Sequence, residues 1–154
     1  MAGHILRAAK PDSSNMTDST IPDGFRLIQS RSPFAAHNGP IYQREEDDGG
    51  FVRGFHVLET HLNAGRMAHG GMLVAFADGV LGQCAGRAAG GPAVTLRLTS
   101  NFVAPARPGD WVEGRAEVVR QGRSTVFVRG QLTVRHRTVL TADGIFQPIK
   151  PAKR

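Results

Sequence analysis

The residues able to do chemistry in this 154-residue chain gather in one stretch, residues 67–86, which read MAHGGMLVAFADGVLGQCAG. Asp78 stands inside a run of Met, Leu, Val, Ala and Phe long enough to form a buried helix. A carboxylate is seldom fully buried without a partner, because losing water costs several kcal/mol unless something compensates. Two readings follow. Asp78 is either kept for acid–base or nucleophilic work, which a drier setting favours, or is a structural carboxylate satisfied by nearby backbone or by an arginine. His69-Gly70-Gly71 stands where the helix must begin. Glycines there leave backbone N–H groups open to an approaching oxygen, and the helix dipole favours negative charge at that end. The Gly70 N–H is therefore a candidate oxyanion donor, a role worth several kcal/mol in a transition state. The plainer alternative has His69 capping the helix while the glycines make a turn. Asn63 is the third polar position that stands out.

Gly70 and Asp78 are eight residues apart, which on one helix is ~12 Å along the axis. One small reacting group cannot touch both. If they cooperate, they come from two chains, with one helix start facing the middle of the partner's helix. A two-fold dimer does this and yields two equal sites.

These residues need a scaffold. Short strands are expected at 41–44 and 51–58 around the polar turn EEDDGG, followed by the Gly-punctuated loop LNAGRMAHGG. The helix spans 70–87 and stops at GRAAGGP. The second half alternates as strands do. AVTLRLTSNFVAPA places Val94, Leu96, Leu98 and Phe102 on one face, with Thr95, Arg97 and Thr99 on the other. WVEGRAEVVRQG, STVFVRGQLTVRHR and VLTADGIFQPIK continue the pattern. A helix apolar all round must be covered on all sides. The expected fold is α+β, with five or six mostly antiparallel strands curved around one long central helix.

Length and composition bound the rest. The chain has room for one domain, with 40% hydrophobic and 21% charged residues. Residues 1–22 are polar and read as a flexible tail, 23–150 as the globular domain, and 151–154 as a short basic tail. No apolar stretch approaches the ~20 residues that span a bilayer, and the N-terminus lacks the apolar segment of a secretory signal. The single cysteine, Cys84, excludes an intramolecular disulfide framework, fits a reducing cytoplasm, and suits a small buried side chain better than a reactive thiol. His56 and His61 lack a third ligand, so no metal is expected. The net charge is +6, but the arginines are dispersed and no nucleic-acid-binding motif accompanies them. A small polyanionic ligand would use such a field equally well.

Asn63, His69-Gly70-Gly71 and Asp78, with AVTLRLTSNFVAPARPGD after the helix, resemble the hotdog-fold thioesterases. The likeness is to the acyl-CoA thioesterase branch that includes phenylacetate-pathway enzymes and relatives of 4-hydroxybenzoyl-CoA thioesterase, and it covers roughly residues 34–148. The resemblance implies hydrolysis of an acyl-CoA to free acid and CoA. Gly70 N–H would polarise the thioester carbonyl, with Gly71 beside it in the substrate site. Asp78 of the facing subunit would serve as general base on water, or attack directly to give a mixed anhydride. Thr95 would orient the water, while Asn63 and His69 would position the carbonyl, water or leaving thiolate. Arg120, Gly122, Arg123 and Ser124, in the turn RQGRS, would meet the pantetheine and nucleotide; a turn arginine is otherwise simply solvated. Met72 and Phe76 would line the acyl pocket. The family needs no metal or separate cofactor, CoA being part of the substrate. It implies a cytoplasmic homodimer, assembled as a dimer of dimers, with no nucleic-acid or membrane partner. Two other readings remain: a non-catalytic hotdog module binding acyl-CoA as a sensor or partner, and a DNA-associated protein. The acyl group is left open.

Overall fold

The structure is a computed structural model that describes residues 21–30 and 32–149. Its elements run β1 (Arg26–Leu27), α1 (Pro33–His37), β2 (Tyr42–Glu45), β3 (Phe51–His56), a 3-10 turn (Glu59–His61), α2 (Gly70–Ala89), β4 (Ala93–Phe102), β5 (Trp111–Gln121), β6 (Val126–Val134) and β7 (Arg137–Pro148). The strands form one antiparallel sheet in the order β1-β2-β3-β5-β6-β7-β4. The sheet has seven strands rather than five or six. The addition is β1, two residues paired with β2 through Arg26↔Gln43 and Leu27↔Tyr42, too short for any alternation to show. Helix α1 was also not expected, although Ser32-Pro33 marks it. Ser32 Oγ accepts from Ala35 N–H at 3.3 Å and Pro33 opens the first turn. Of the expected N-terminal tail, only residues 21 and 22 are described, and 151–154 lie outside the described residues. No described helix is long and apolar enough to cross a membrane.

Helix α2 runs 20 residues without a proline. It ends where Gly90 takes a left-handed conformation (φ 69°) and returns its N–H to Arg87 O and Gly86 O. The sheet covers one face of it, burying Met72, Leu73, Phe76, Ala77, Val80, Leu81 and Ala85. The expectation of cover on all sides does not hold within one chain. The opposite face, with Ala75, Asp78, Gly79, Gly82, Gln83 and Gly86, is only half-buried. The buried face sits close because the sheet offers it glycines. A Cβ on Gly114 would stand 2.7 Å from Val80 Cγ2, one on Gly130 2.7 Å from Leu81 Cδ1, and one on Gly144 3.3 Å from Leu81 Cδ2. Val80 and Leu81 occupy the volume that those side chains would need.

Strand β4 departs from simple alternation. Its register with β7 slips between Thr95 and Arg97, so Leu96 is an extra residue in a bulge. The parity of the strand changes there. Ala93 and Leu98 pack against the core, Thr95 bonds to a side chain of α2, and Phe102 approaches the start of α2. Val94 and Leu96, expected on the Leu98 face, are 43% and 54% exposed. Being last in the sheet, β4 presents its free edge outward.

His61, just before the site, is buried at 4% exposure with its ring edge-on to Phe55, the centroids 5.4 Å apart. Its Nδ1 accepts from Leu58 N–H at 3.1 Å, which leaves Nε2–H to donate to Asn38 O at 3.1 Å. Burial pushes its pKa below the usual histidine range, against weaker opposing bonds from backbone acceptors.

Gly130→Ala should lower the denaturant midpoint by the equivalent of about 1–3 kcal/mol, because its new methyl also meets Arg115 O at 2.6 Å; an unchanged midpoint would disprove close seating. The depressed pKa of His61 means that the unfolded chain takes up a proton first. Stability is therefore full above about pH 6.5 and falls as pH drops below it. Thermal melts from pH 7.5 to 5 should show this slope in the wild type and a shallower one in His61→Gln.

Candidate functional site

The loop before α2 is built by Asn63. Its Oδ1 accepts from Gly65 N–H at 2.9 Å and Met67 N–H at 3.2 Å, a local side-chain turn that Asn favours. Its backbone N–H donates to Met67 O at 2.8 Å. Leu62 and Ala68 then bridge across the loop, and His69 N–H donates to His61 O at 2.7 Å. These bonds deliver the chain to the start of α2 at a set position. The Asn63 carbonyl oxygen is used in the loop, so only its NH2 group is free for another partner.

His69 is the N-cap of α2. Its Nδ1 accepts from Gly71 N–H at 2.9 Å, and its backbone oxygen accepts from Met72 and Leu73 N–H. The capping alternative is therefore realised, and it takes the Gly71 N–H out of play. The Gly70 N–H has no hydrogen-bond partner among the described residues. It opens the helix beside Phe102, whose Cζ would stand 3.1 Å from a Cβ on Gly70. Phe102 is itself 60% exposed. One backbone donor thus faces outward at the positive end of a 20-residue helix.

Asp78 is half-buried rather than sealed in the core, and among the described residues no arginine pairs with it. Its Oδ1 accepts from Thr95 Oγ1–H at 2.7 Å. The β4 bulge is what turns Thr95 toward α2, so this pair depends on Leu96 being extra. Asp78 lies between two cavities. One, of 340 Å³, is walled by Phe34, Ile41, Met72 and Phe76, with Arg53 on its lining. The other, of 580 Å³, runs over Gly79, Gly82 and Gly86 toward Arg87 and Thr95. Met72 and Phe76, expected at an acyl pocket, do meet in one cavity with Asp78, and Ile41 from the expected strand 41–44 joins them. Arg53 is a lining residue that sequence reading missed. The available signal was parity, since Phe51 and Phe55 flank it two residues away and both point into the core.

Gly122, Arg123 and Ser124 form the exposed β5–β6 turn, closed by Gly122 N–H to Thr125 O at 2.7 Å, and Arg120 stands exposed near the end of β5 just before it. Register places the turn at the same end of the sheet as Thr95, along Thr95↔Phe146↔Val126↔Gln121. Three strand spacings, ~14 Å, separate it from Thr95, so this chain does not bring it against its own Asp78. Cys84 is half-buried, and burial pushes its thiol pKa up. His56 packs edge-on against Trp111, the centroids 4.8 Å apart, on the far side of the sheet from α2.

Residues 65–141 match the family model described as the thioesterase superfamily. The chain is 34% identical over 128 residues to the candidate esterase PA0474 of Pseudomonas aeruginosa, an alignment covering 82% of this chain and 96% of that one. Among solved structures it is similar to the TT0310 protein of Thermus thermophilus, at 29% identity and TM-score 0.69 over 78% of this chain and all of that one. A single-substitution mutant of the phenylacetic acid degradation protein PaaI from the same organism superposes at TM-score 0.68 with 28% identity, covering 77% of this chain and 100% of that one. The fold is accordingly the hotdog arrangement, a curved antiparallel sheet holding one long helix, and the chain belongs to the thioesterase superfamily.

Proposed function

We propose that the protein hydrolyses acyl-CoA thioesters at a site made by two copies of the chain. The observation that carries this reading is the state of Asp78. One of its oxygens is held by Thr95 Oγ1–H at 2.7 Å, and the residue borders an apolar cavity large enough for an acyl group. In the proposed reaction the other carboxylate oxygen takes a proton from water as the water oxygen bonds to the thioester carbon. The carbonyl oxygen becomes an oxyanion and receives the Gly70 N–H of the facing subunit. The tetrahedral species then collapses, the C–S bond breaks, and the thiolate leaves to take up the proton. Direct attack by the carboxylate would instead give a mixed anhydride that water opens. Thr95 holds Asp78 in either route and offers its lone pairs to the incoming water. Membership of the thioesterase superfamily supports a thioester as the substrate. A net charge of +6 and the exposed Arg120 and Arg123 suit the phosphates of CoA.

The edge of β4 is the proposed dimer seam. Thr95, near one end of the strand, sits on Asp78, and Phe102, at the other end, sits on Gly70. Antiparallel pairing of β4 with its copy exchanges the ends, setting the Gly70 end of each chain against the Asp78 end of the other. The exposed Leu96, Phe102 and Val103 would be covered in the process. A dimer of dimers would use the outer sheet face, where Val119 and Phe127 are exposed beside Ile145.

Asp78→Asn should lower kcat in acyl-CoA hydrolysis by about 10²–10⁴-fold while leaving acyl-CoA binding in place; full turnover in the variant would defeat the assignment, and binding without turnover in the wild type would make the protein a sensor. Gly70→Pro removes the N–H at a helix position that tolerates proline, so it should also be inactive. Mixing the two dead variants through unfolding and refolding should recover about a quarter of wild-type activity, from heterodimers with one intact site of two. Zero recovery would place both groups in a single chain's site.

A further inference from the structure

One cation stands on the wall of the site with no carboxylate in ion-pair reach among the described residues. Arg53 lies on β3 between the inward-pointing Phe51 and Phe55, so it faces α2. Its guanidinium donates Nε–H to Gln43 Oε1 at 3.0 Å, one Nη1–H to Gly79 O at 2.8 Å and one Nη2–H to Gln83 Oε1 at 3.0 Å. All three acceptors are neutral. Among the described residues no carboxylate comes within 4.0 Å of it. A guanidinium has five N–H groups, so two remain unspent. Desolvation, then repulsion by Arg87, pulls the Arg53 pKa down to about 10 against the attraction of the more distant Glu45 carboxylate, which leaves it charged at neutral pH. Placing a cation against neutral partners is costly, and the fold nonetheless holds this one on the wall of the Asp78 cavity.

We propose that Arg53 selects an acyl group ending in a carboxylate, so that the preferred substrates are monothioesters of short dicarboxylic acids. This rests on the thioesterase reading above and adds the acyl class to it. Two free N–H groups on a planar cation match the two oxygens of a carboxylate. Met72, Phe76 and Ile41 supply apolar walls for the methylenes between the two ends. The acyl chain is short, because Gly79, next to Asp78 in sequence, is itself an acceptor of Arg53. A neutral acyl group of equal length would leave the desolvated cation facing hydrocarbon, and a site built for a polar partner discriminates against the analogue that lacks it.

The test is thiol release from glutaryl-CoA against pentanoyl-CoA and from adipoyl-CoA against hexanoyl-CoA, corrected for spontaneous hydrolysis. Wild-type kcat/KM should favour the dicarboxylic member of at least one pair by about 10- to 100-fold, the worth of hydrogen bonds to a charged group. In Arg53→Met that ratio should fall toward one, and Arg53→Lys, which keeps charge but loses the fork, should lie between. Turnover of the neutral thioesters at equal or higher kcat/KM overturns the role of Arg53 and leaves the thioesterase reading standing. A preference that survives in a folded Arg53→Met chain also overturns it. Release from none of the four overturns the role of Arg53, and phenylacetyl-CoA and palmitoyl-CoA in the same assay then decide the thioesterase reading separately. Should Arg53→Met fail to fold, because Gly79 O and Gln83 lose their donor, the wild-type ratios and Arg53→Lys still decide.

Discussion

The closeness of α2 to the sheet is the constraint on which the rest of the molecule depends. It exists because Gly114 and Gly130, with Gly144 behind them, leave room on the inner sheet face for Val80 and Leu81. At that separation one flank of the helix comes within hydrogen-bonding reach of the edge strand, and Asp78 meets Thr95 at 2.7 Å. The same approach puts the first turn of the helix on Phe102, at the other end of the same strand. An ordinary layer of side chains at the three glycine positions would lift α2 and part both contacts. Strand β4 therefore carries two chemically different ends, one with a carboxylate and one with a free N–H donor, held apart by the length of helix between them. On the proposed two-chain reading neither end is a complete site, and the free strand edge between them is the surface on which two such halves would meet.

Much of this was legible in the sequence, and the parts that were not share a physical cause. The helix and its start could be read because α2 is long, lacks proline and is bracketed by glycines. Those are local properties. The partner of Asp78 could not be read locally. Simple alternation sets Thr95 opposite Leu98, and only the extra residue at Leu96 turns it to the helix side. Resemblance to relatives pointed to Thr95 where the strand pattern pointed away, because the bulge is a property of the β4–β7 ladder and not of β4. Asn63 and His69 stood out by type, but their local bonds give them structural duties first, a loop and a cap. Arg53 illustrates the opposite failure. Its parity in FVRGFH placed a cation on the core side of a strand, yet a charged residue in a short alternating segment is easily read as solvent-facing when the neighbouring helix is not yet placed.

Charge pairing shows where the positive surplus of the chain acts. Several arginines are neutralised by carboxylates. Arg87 binds both oxygens of Glu45, and these bonds, with a further one from Gln43, hold the Glu45 carboxyl down at about 2. Glu46 is held below its usual range by Arg44 first and Arg115 second. Exposed pairs of this kind contribute little stability each, but they remove these arginines from the set available to a ligand. Arg120 and Arg123, at the outer turn, have no ion pair among the described residues, and neither does Arg53 on the cavity wall. An acyl-CoA that ends in a carboxylate is negative at both extremities and neutral at the thioester between them. Three of the arginines without an ion pair among the described residues suit that pattern, Arg120 and Arg123 on the surface where nucleotide phosphates would lie in water and Arg53 within the fold where the acyl group would end. Surface arginines act through a screened field and tolerate many anions, whereas a desolvated guanidinium with two open donors is strongly affected by what occupies the cavity. Affinity for CoA and choice of acyl group would thus be set by different residues, so that one can change while the other is kept.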